Sequence, residues 1–209
     1  KGNLEEIKEF LIKNDINVIY EDGNNLLHIS ILYYKFDVFN FIFNKINKSY
    51  IKYYNRSGFL PIHIAINLGN LYVIKVLLNE HTGCLDSLTL GSEKLSPLQL
   101  SVQFQCCKVV DYLIANGSSV SLITNKDQTM LHLACIGGDK KIIETILSEC
   151  PEEYLILKDK NGFIPLHNLL LSNKSNLQAV EFLYNKTIDF IHKQCQNDFD
   201  LIVSQTKNT

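Results

Sequence analysis

Gly58-Phe59-Leu60-Pro61-Ile62-His63-Ile64-Ala65 runs into Gly69-Asn70-Leu71-Tyr72-Val73-Ile74-Lys75, and this stretch decides the fold because the chain repeats it. Moving outward, the words Asn24-Asn25-Leu26-Leu27-His28, Leu95-Ser96-Pro97-Leu98-Gln99, Gln128-Thr129-Met130-Leu131-His132 and Phe163-Ile164-Pro165-Leu166-His167 match its first half. Their last residues fall at 28, 63, 99, 132 and 167, in steps of 35, 36, 33 and 35. A period of this size marks a stacked repeat architecture. A second marker follows each word: apolar runs at 38–43, 73–78, 109–114, 142–147 and 179–184. Positions such as Val73, Ile74, Leu77 and Leu78 share one helical face, which must be buried against a neighbour.

Local chemistry agrees with a helix opening at each word. Pro61, Pro97 and Pro165 suit a first helical turn, where the missing N–H is not needed. Asn25, Ser96 and Thr129 can cap that turn through a side-chain oxygen, whereas Leu60 and Ile164 cannot, so their helix starts should be weaker. Gly23, Gly58 and Gly162 stand where a turn calls for positive φ, with Lys94 and Asp127 at the matching places. Gly69 and Gly138 lie between paired helices, where Tyr34 and Gln105 stand in other repeats. In the last repeat this turn is longer, over Ser172 to Ser175.

These words resemble the ankyrin repeat, whose hallmark Gly-x-Thr-Pro-Leu-His-x-Ala opens the first of two antiparallel helices. The resemblance covers nearly the whole chain and implies an all-α solenoid of stacked helix-turn-helix units with hairpin-like loops. It gives one domain over 1–209: a partial repeat at 1–18, repeats at about 19–53, 54–89, 90–123, 124–157 and 158–190, and a C-terminal partial repeat or cap at 191–209. Gly2 to Leu11 echoes Gly69 to Leu78, so the chain starts in a second helix, with Ile7, Phe10 and Leu11 as the apolar side of a start cap. Phe199, Leu201, Ile202 and Val203 are too apolar for a solvated tail; they cover the final repeat or begin another. One buried Leu or Ile contributes about 1.5–3 kcal/mol, so several per repeat sustain an array without a global core.

Bulk properties narrow the function. The 209 residues are 46% hydrophobic with a formal net charge of −2, which gives no positive field to draw nucleic acid. No window approaches the run of about 18 apolar residues that inserts in a membrane, and no signal peptide opens the chain. Six cysteines without a Cys-x-x-Cys pair fit reduced thiols in a cytoplasmic setting. No P-loop, dinucleotide, zinc-protease or serine-hydrolase word appears, so neither catalysis nor a cofactor is expected.

The histidines His28, His63, His132 and His167 recur once per repeat. The resemblance sets neighbours about 10 Å apart, too far for one metal whose bonds to His are about 2 Å, and it gives them a structural role: Thr129 with His132 keeps the family's Thr–His hydrogen-bonded pair. His81 and His192 are isolated. Cys107, beside Cys106, replaces a partly buried apolar residue and reads as a packed small thiol, with a redox switch as the alternative.

What remains is a surface. In the family the hairpin tips and first helices form a concave groove that binds partner proteins. Carried over repeat by repeat, the groove positions are Glu21 and Tyr33; Arg56, Phe59 and Asn67; Leu95 and Phe104; Lys126 and Gln128; Lys160 and Phe163. Aromatic and Arg side chains are common interface anchors. The expectation is a monomeric fragment that binds another protein as a scaffold. The rival expectation is the substrate-recruiting segment of a larger enzyme, such as a membrane S-acyltransferase or a kinase.

Overall fold

The structure, a computed structural model, describes residues 4–174 and 177–206; for Leu4 and for 198–206 it gives the helical backbone. The fold is all-α, and among the described residues the only β pairing is an isolated bridge between Ile19 and Asn25. The chain divides into two compact units, residues 1–119 and 120–209.

In the first unit α1 (Leu4–Lys13) precedes three helix pairs: α2 (Leu26–Leu32) with α3 (Phe36–Lys45), α4 (Pro61–Asn67) with α5 (Leu71–Glu80), and α6 (Pro97–Gln103) with α7 (Cys107–Ala115). Each pair packs internally, and the first helices stack in order, α2 on α4 and α4 on α6. The second unit holds α8 (Met130–Gly137) with α9 (Lys140–Glu149), then α10 (Pro165–Leu171) with α11 (Leu177–Thr206); α8 packs on α10 and α9 on α11. Short 3-10 turns at Lys48–Lys52, Thr82–Cys84 and Glu152–Leu155 follow the second helices α3, α5 and α9.

The first helices α2, α4, α6 and α8 are mostly buried, Pro61 through Ile66 and Met130 through Cys135 included, whereas α10 leaves His167, Leu170 and Leu171 exposed. The second helices bury one stripe, such as Val73, Ile74, Leu77 and Leu78 in α5. This is the burial that one helix between two neighbours, backed by a half-exposed row, must have.

Helix starts follow the side chains available. The N-terminal caps form where an oxygen exists: Asn25 Oδ1, Ser96 Oγ and Thr129 Oγ1 accept the amides of His28, Gln99 and His132 at 3.1, 3.2 and 3.4 Å. At Leu60 and Ile164 no side chain accepts, and the amides of His63 and His167 turn instead to the backbone carbonyls of Leu60 and Ile164 at 3.0 and 2.9 Å. The turn positions also hold: Gly23, Gly58 and Gly162 have φ of 77°, 79° and 78°, and Lys94 and Asp127 take 48° and 57° at the matching places. Tyr34 and Gln105, at 55° and 57°, fill the inter-helix turn that Gly69 and Gly138 occupy elsewhere.

Two features add to the sequence reading. Leu11 is buried and Ile7 half-buried, but Phe10 is 61% exposed. The Ile7–Leu11 face is the inward one, and Phe10 is turned about 100° from Leu11. In the last repeat α11 runs without a break through the expected boundary at 190/191. Ala179, Leu183, Thr187 and Phe190 are buried along it, and the side chains of 191–197 are exposed. Gly2 and Asn3, Ser175, and the side chains of Phe199, Leu201, Ile202 and Val203 lie outside the described residues.

Candidate functional site

The site is built on the loops between helix pairs, here called fingers. In each finger an amide donates to a carbonyl just before the next helix: Tyr20 to Asn24, Asn55 to Phe59, Thr89 to Leu95, Thr124 to Gln128 and Asp159 to Phe163, all at 2.9–3.0 Å. Neighbouring fingers within a unit are tied by backbone bonds, Arg56 N–H to Asp22 O at 3.0 Å, Leu90 N–H to Gly58 O at 2.8 Å, and Lys160 N–H to Lys126 O at 3.0 Å.

The histidines lock these fingers to the helices. His28 Nε2–H donates to Phe59 O at 3.0 Å, His63 Nε2–H to Ser87 O at 2.8 Å, and His132 Nε2–H to Phe163 O at 2.9 Å. On the other side of the ring, Nδ1 of His63 and of His132 accepts the amide of Leu60 and of Thr129, at 3.0 and 3.1 Å. The Thr129 hydroxyl also lies 2.8 Å from His132 Nδ1. Burial pushes His28 and His63 down to about 4, and lowers His132 as well, so these rings are neutral at pH 7. A neutral ring accepting at Nδ1 and donating at Nε2 is what both bonds require. Among the described residues no group of three or more His, Cys, Asp or Glu side chains is placed to hold a metal ion.

The expected groove residues fall into different settings. Phe59 and Phe163 are each 37% exposed, and each ring stands edge-on to the next histidine, His63 at 6.3 Å and His167 at 5.8 Å. With their carbonyls held by the preceding histidine, the backbone that carries both aromatics is fixed. Phe59, Asn67, Leu95 and Phe104 line one cavity of about 550 Å³ in the first unit. Leu95, however, is only 6% exposed. Its amide bonds to Thr89 Oγ1 at 2.9 Å and its carbonyl to Thr89 N–H, which folds it inward, so it floors the cavity instead of presenting a side chain to solvent. Glu21, Tyr33 and Arg56 are exposed in the same unit but do not line the cavity. In the second unit Lys126 and Lys160 are exposed on paired fingers and Gln128 is half-buried.

Sequence reasoning missed Leu32, Gln103 and Glu93, which line the same cavity. Leu32 and Gln103 stand four residues after their words' last residue, the position from which Asn67 was picked, so uniform transfer of that position finds both. Glu93 belongs to the finger that makes the 63-to-99 step the longest.

Cys106 and Cys107 are half-buried at the start of α7. Burial raises the Cys106 thiol, whose sulfur lies 3.6 Å from Phe104 O and 3.8 Å from Ile66 O. Among the described residues no helix is long and apolar enough to cross a membrane.

Comparison with known proteins agrees with this architecture. The family model for ankyrin repeats (3 copies) matches residues 1–89 and 98–194. A Saccharomyces cerevisiae protein described as "Probable 26S proteasome regulatory subunit p28" is 31% identical over 151 residues, 72% of this chain and 65% of that protein. The Legionella pneumophila phosphocholine transferase AnkX is 25% identical over 129 residues, 61% of this chain and 13% of the transferase. Human B-cell lymphoma 3 protein is 27% identical over 141 residues, 61% of this chain and 31% of that protein. The chain thus spans 65% or less of each of these relatives. With five spaced words, stacked helix pairs, histidine-locked fingers and a family match over most of its length, the chain belongs to the ankyrin-repeat family.

Proposed function

We propose that the chain is a protein-binding scaffold, and that it engages its partner through the fingers and the exposed side of the first helices. The observation that carries this reading is the cavity of about 550 Å³ in the first unit, where exposed Phe59 and Phe104 stand on a hydrogen-bonded frame. Rigid aromatic anchors lose little conformational freedom on binding. Ankyrin repeats mediate protein–protein interaction, and the yeast relative is by name a regulatory subunit of a larger assembly. The same proposal takes 1–209 as one binding domain in the repeat windows given above, acting in the cytoplasm as a non-catalytic part, with Glu21, Tyr33, Arg56, Lys126, Gln128, Lys160 and Phe163 as further contact positions.

The test is affinity capture with the wild-type chain and with a variant carrying Phe59→Ala, Phe104→Ala and Phe163→Ala. Partners recovered by the wild type should be lost from the variant while its helical circular dichroism is kept. An unchanged set of captured proteins would move the binding face elsewhere. A second reading, a recruiting segment within a larger enzyme, is favoured by the similarity to the phosphocholine transferase, of which the matched region is 13%. Under that reading the isolated chain still captures its protein, and the protein is modified only by the longer enzyme.

A further inference from the structure

Three first helices, α2, α4 and α8, are each followed within their own unit by another first helix, α4, α6 and α10. In all three the same positions are closed to solvent: Leu27, His28 and Ile31; Ile62, His63 and Ile66; Leu131, His132 and Cys135. In α10 the matching residues are open, for Leu166 is half-buried, His167 exposed and Leu170 57% exposed. Leu166, His167 and Leu170, three and four residues apart, share one side of the helix. The paired second helix changes in step. Phe39, Ile74 and Ile143 are buried where Val180 is half-buried, and Phe43 and Leu78 are buried where Tyr184 is 52% exposed. Leu177, on the same side of α11 as Val180 and Tyr184, is exposed too.

A polar vacancy goes with the apolar one. His28, His63 and His132 each donate from Nε2 to a carbonyl of the following finger. His167 accepts the Ile164 amide at Nδ1, 3.2 Å away, so its proton stands on Nε2, and among the described residues no carbonyl takes it. A terminal repeat that faces water does so with a polar outer face. Leu166, Leu170, Leu177, Val180 and Tyr184 instead carry the side chains that elsewhere in this chain lie beneath a neighbour.

We propose that this far face of α10 and α11, turned away from α8 and α9, docks a partner protein through the leading helix pair of an ankyrin-type array. The partner's first helix lies over Leu166 and Leu170, its second helix over Val180 and Tyr184, and the finger before its first helix gives a backbone carbonyl to His167 Nε2. The occupant is the one that the molecule itself places on the same face of α2, α4 and α8. A second copy does not fit, because its α1 packs on α3 ahead of it in the row of second helices; laying its α2 on α10 would drive that α1 into α11. The proposal goes beyond the groove reading, since it uses the end of the stack and neither Phe59 nor Phe104.

The probe is a fluorescently labelled designed array of consensus ankyrin repeats whose first repeat carries no N-terminal cap, titrated with the full chain. It should bind with a Kd below about 100 μM, and the same array with a polar N-terminal cap should bind at least about tenfold more weakly. Leu170→Glu should weaken the uncapped array about tenfold or more, and His167→Ala about fivefold, the worth of one hydrogen bond. Both side chains are exposed, so helical circular dichroism should be kept, and Ile12→Glu on exposed α1 should change nothing. Equal binding of capped and uncapped arrays overturns the proposal, as does no binding at about 100 μM or a Leu170→Glu variant that binds like wild type. Self-association of the chain in light scattering that Leu170→Glu abolishes would assign the face to a second copy and overturn it as well. Capture that depends on Phe59 and Phe104 is a separate measurement, so each reading can fail alone.

Discussion

Gly58 and Gly162 share one turn position and nearly one φ, 79° and 78°, but not one environment. A Cβ on Gly58 would meet Leu90 O at 2.5 Å, whereas one on Gly162 meets nothing within 4 Å. Gly162→Ala therefore carries only the left-handed backbone cost of about 1–2 kcal/mol, and Gly58→Ala adds a clash with the long finger. Urea unfolding should show Gly58→Ala as the more destabilised of the two; equal losses would mean that the finger moves aside freely. At Lys94, exposed and with φ 48°, the same physics runs in reverse, and Lys94→Gly relieves strain. The histidines give a second prediction. Folding holds His63 at about 4 against an ordinary 6.5, so protons favour the unfolded chain. Its contribution is complete above pH 6.5 and is lost as pH falls towards 4, on the order of 3 kcal/mol in all. His63→Gln should flatten the fall in urea midpoint between pH 6.5 and 4, because Gln99 already plays this part in the third word, its Oε1 accepting Ser96 N–H at 2.9 Å. A slope identical to wild type would assign the acid sensitivity to other groups, the similarly buried His28 first among them.

At the scale of elements, α11 shows which parts of the molecule can be read from sequence. Spacing alone located the five words, the helix that each opens and the turn positions with positive φ, because those depend on a residue and its near neighbours. Leu95 could not be read as buried: its word matches the others, and only the added finger residues with the Thr89 side chain turn it inward. The uninterrupted length of α11 was equally hidden, since its apolar residues fit either a continuing helix or a new repeat until the packing of Ala179, Leu183 and Phe190 is seen. That packing yields a direct test. Leu183 is fully buried, whereas Leu177 at the start of the same helix is 80% exposed. Leu183→Ala should cost about 2–5 kcal/mol and Leu177→Ala within about 0.5 kcal/mol in equilibrium unfolding. A comparable loss at Leu177 would mean that its side chain is covered in solution.

Over the whole molecule, stability in a repeat array is a sum of helix-pair terms and neighbour terms, so opening proceeds by cooperative pieces. The six thiols report on those pieces because their settings differ. Cys195 is exposed on α11; Cys84, Cys135 and Cys150 are buried; Cys106 and Cys107 are half-buried. Burial raises the thiols of Cys84 and Cys135 and pushes Cys150 up to about 11, and the thiolate is the reactive form. In the folded chain at pH 7.5 an aromatic disulfide reagent should therefore modify Cys195 at once and Cys106 and Cys107 more slowly. Cys84, Cys135 and Cys150 should wait for unfolding. Cys135 lies in α8 and Cys150 just after α9, and these two helices pack as one pair. Their labelling rates should rise together with urea and give one opening free energy. Cys150 labelling well ahead of Cys135 would show that α9 detaches alone, and a Cys106 or Cys107 as fast as Cys195 would bring back the redox switch, since neither half-burial nor the raised Cys106 thiol would then be protecting the pair.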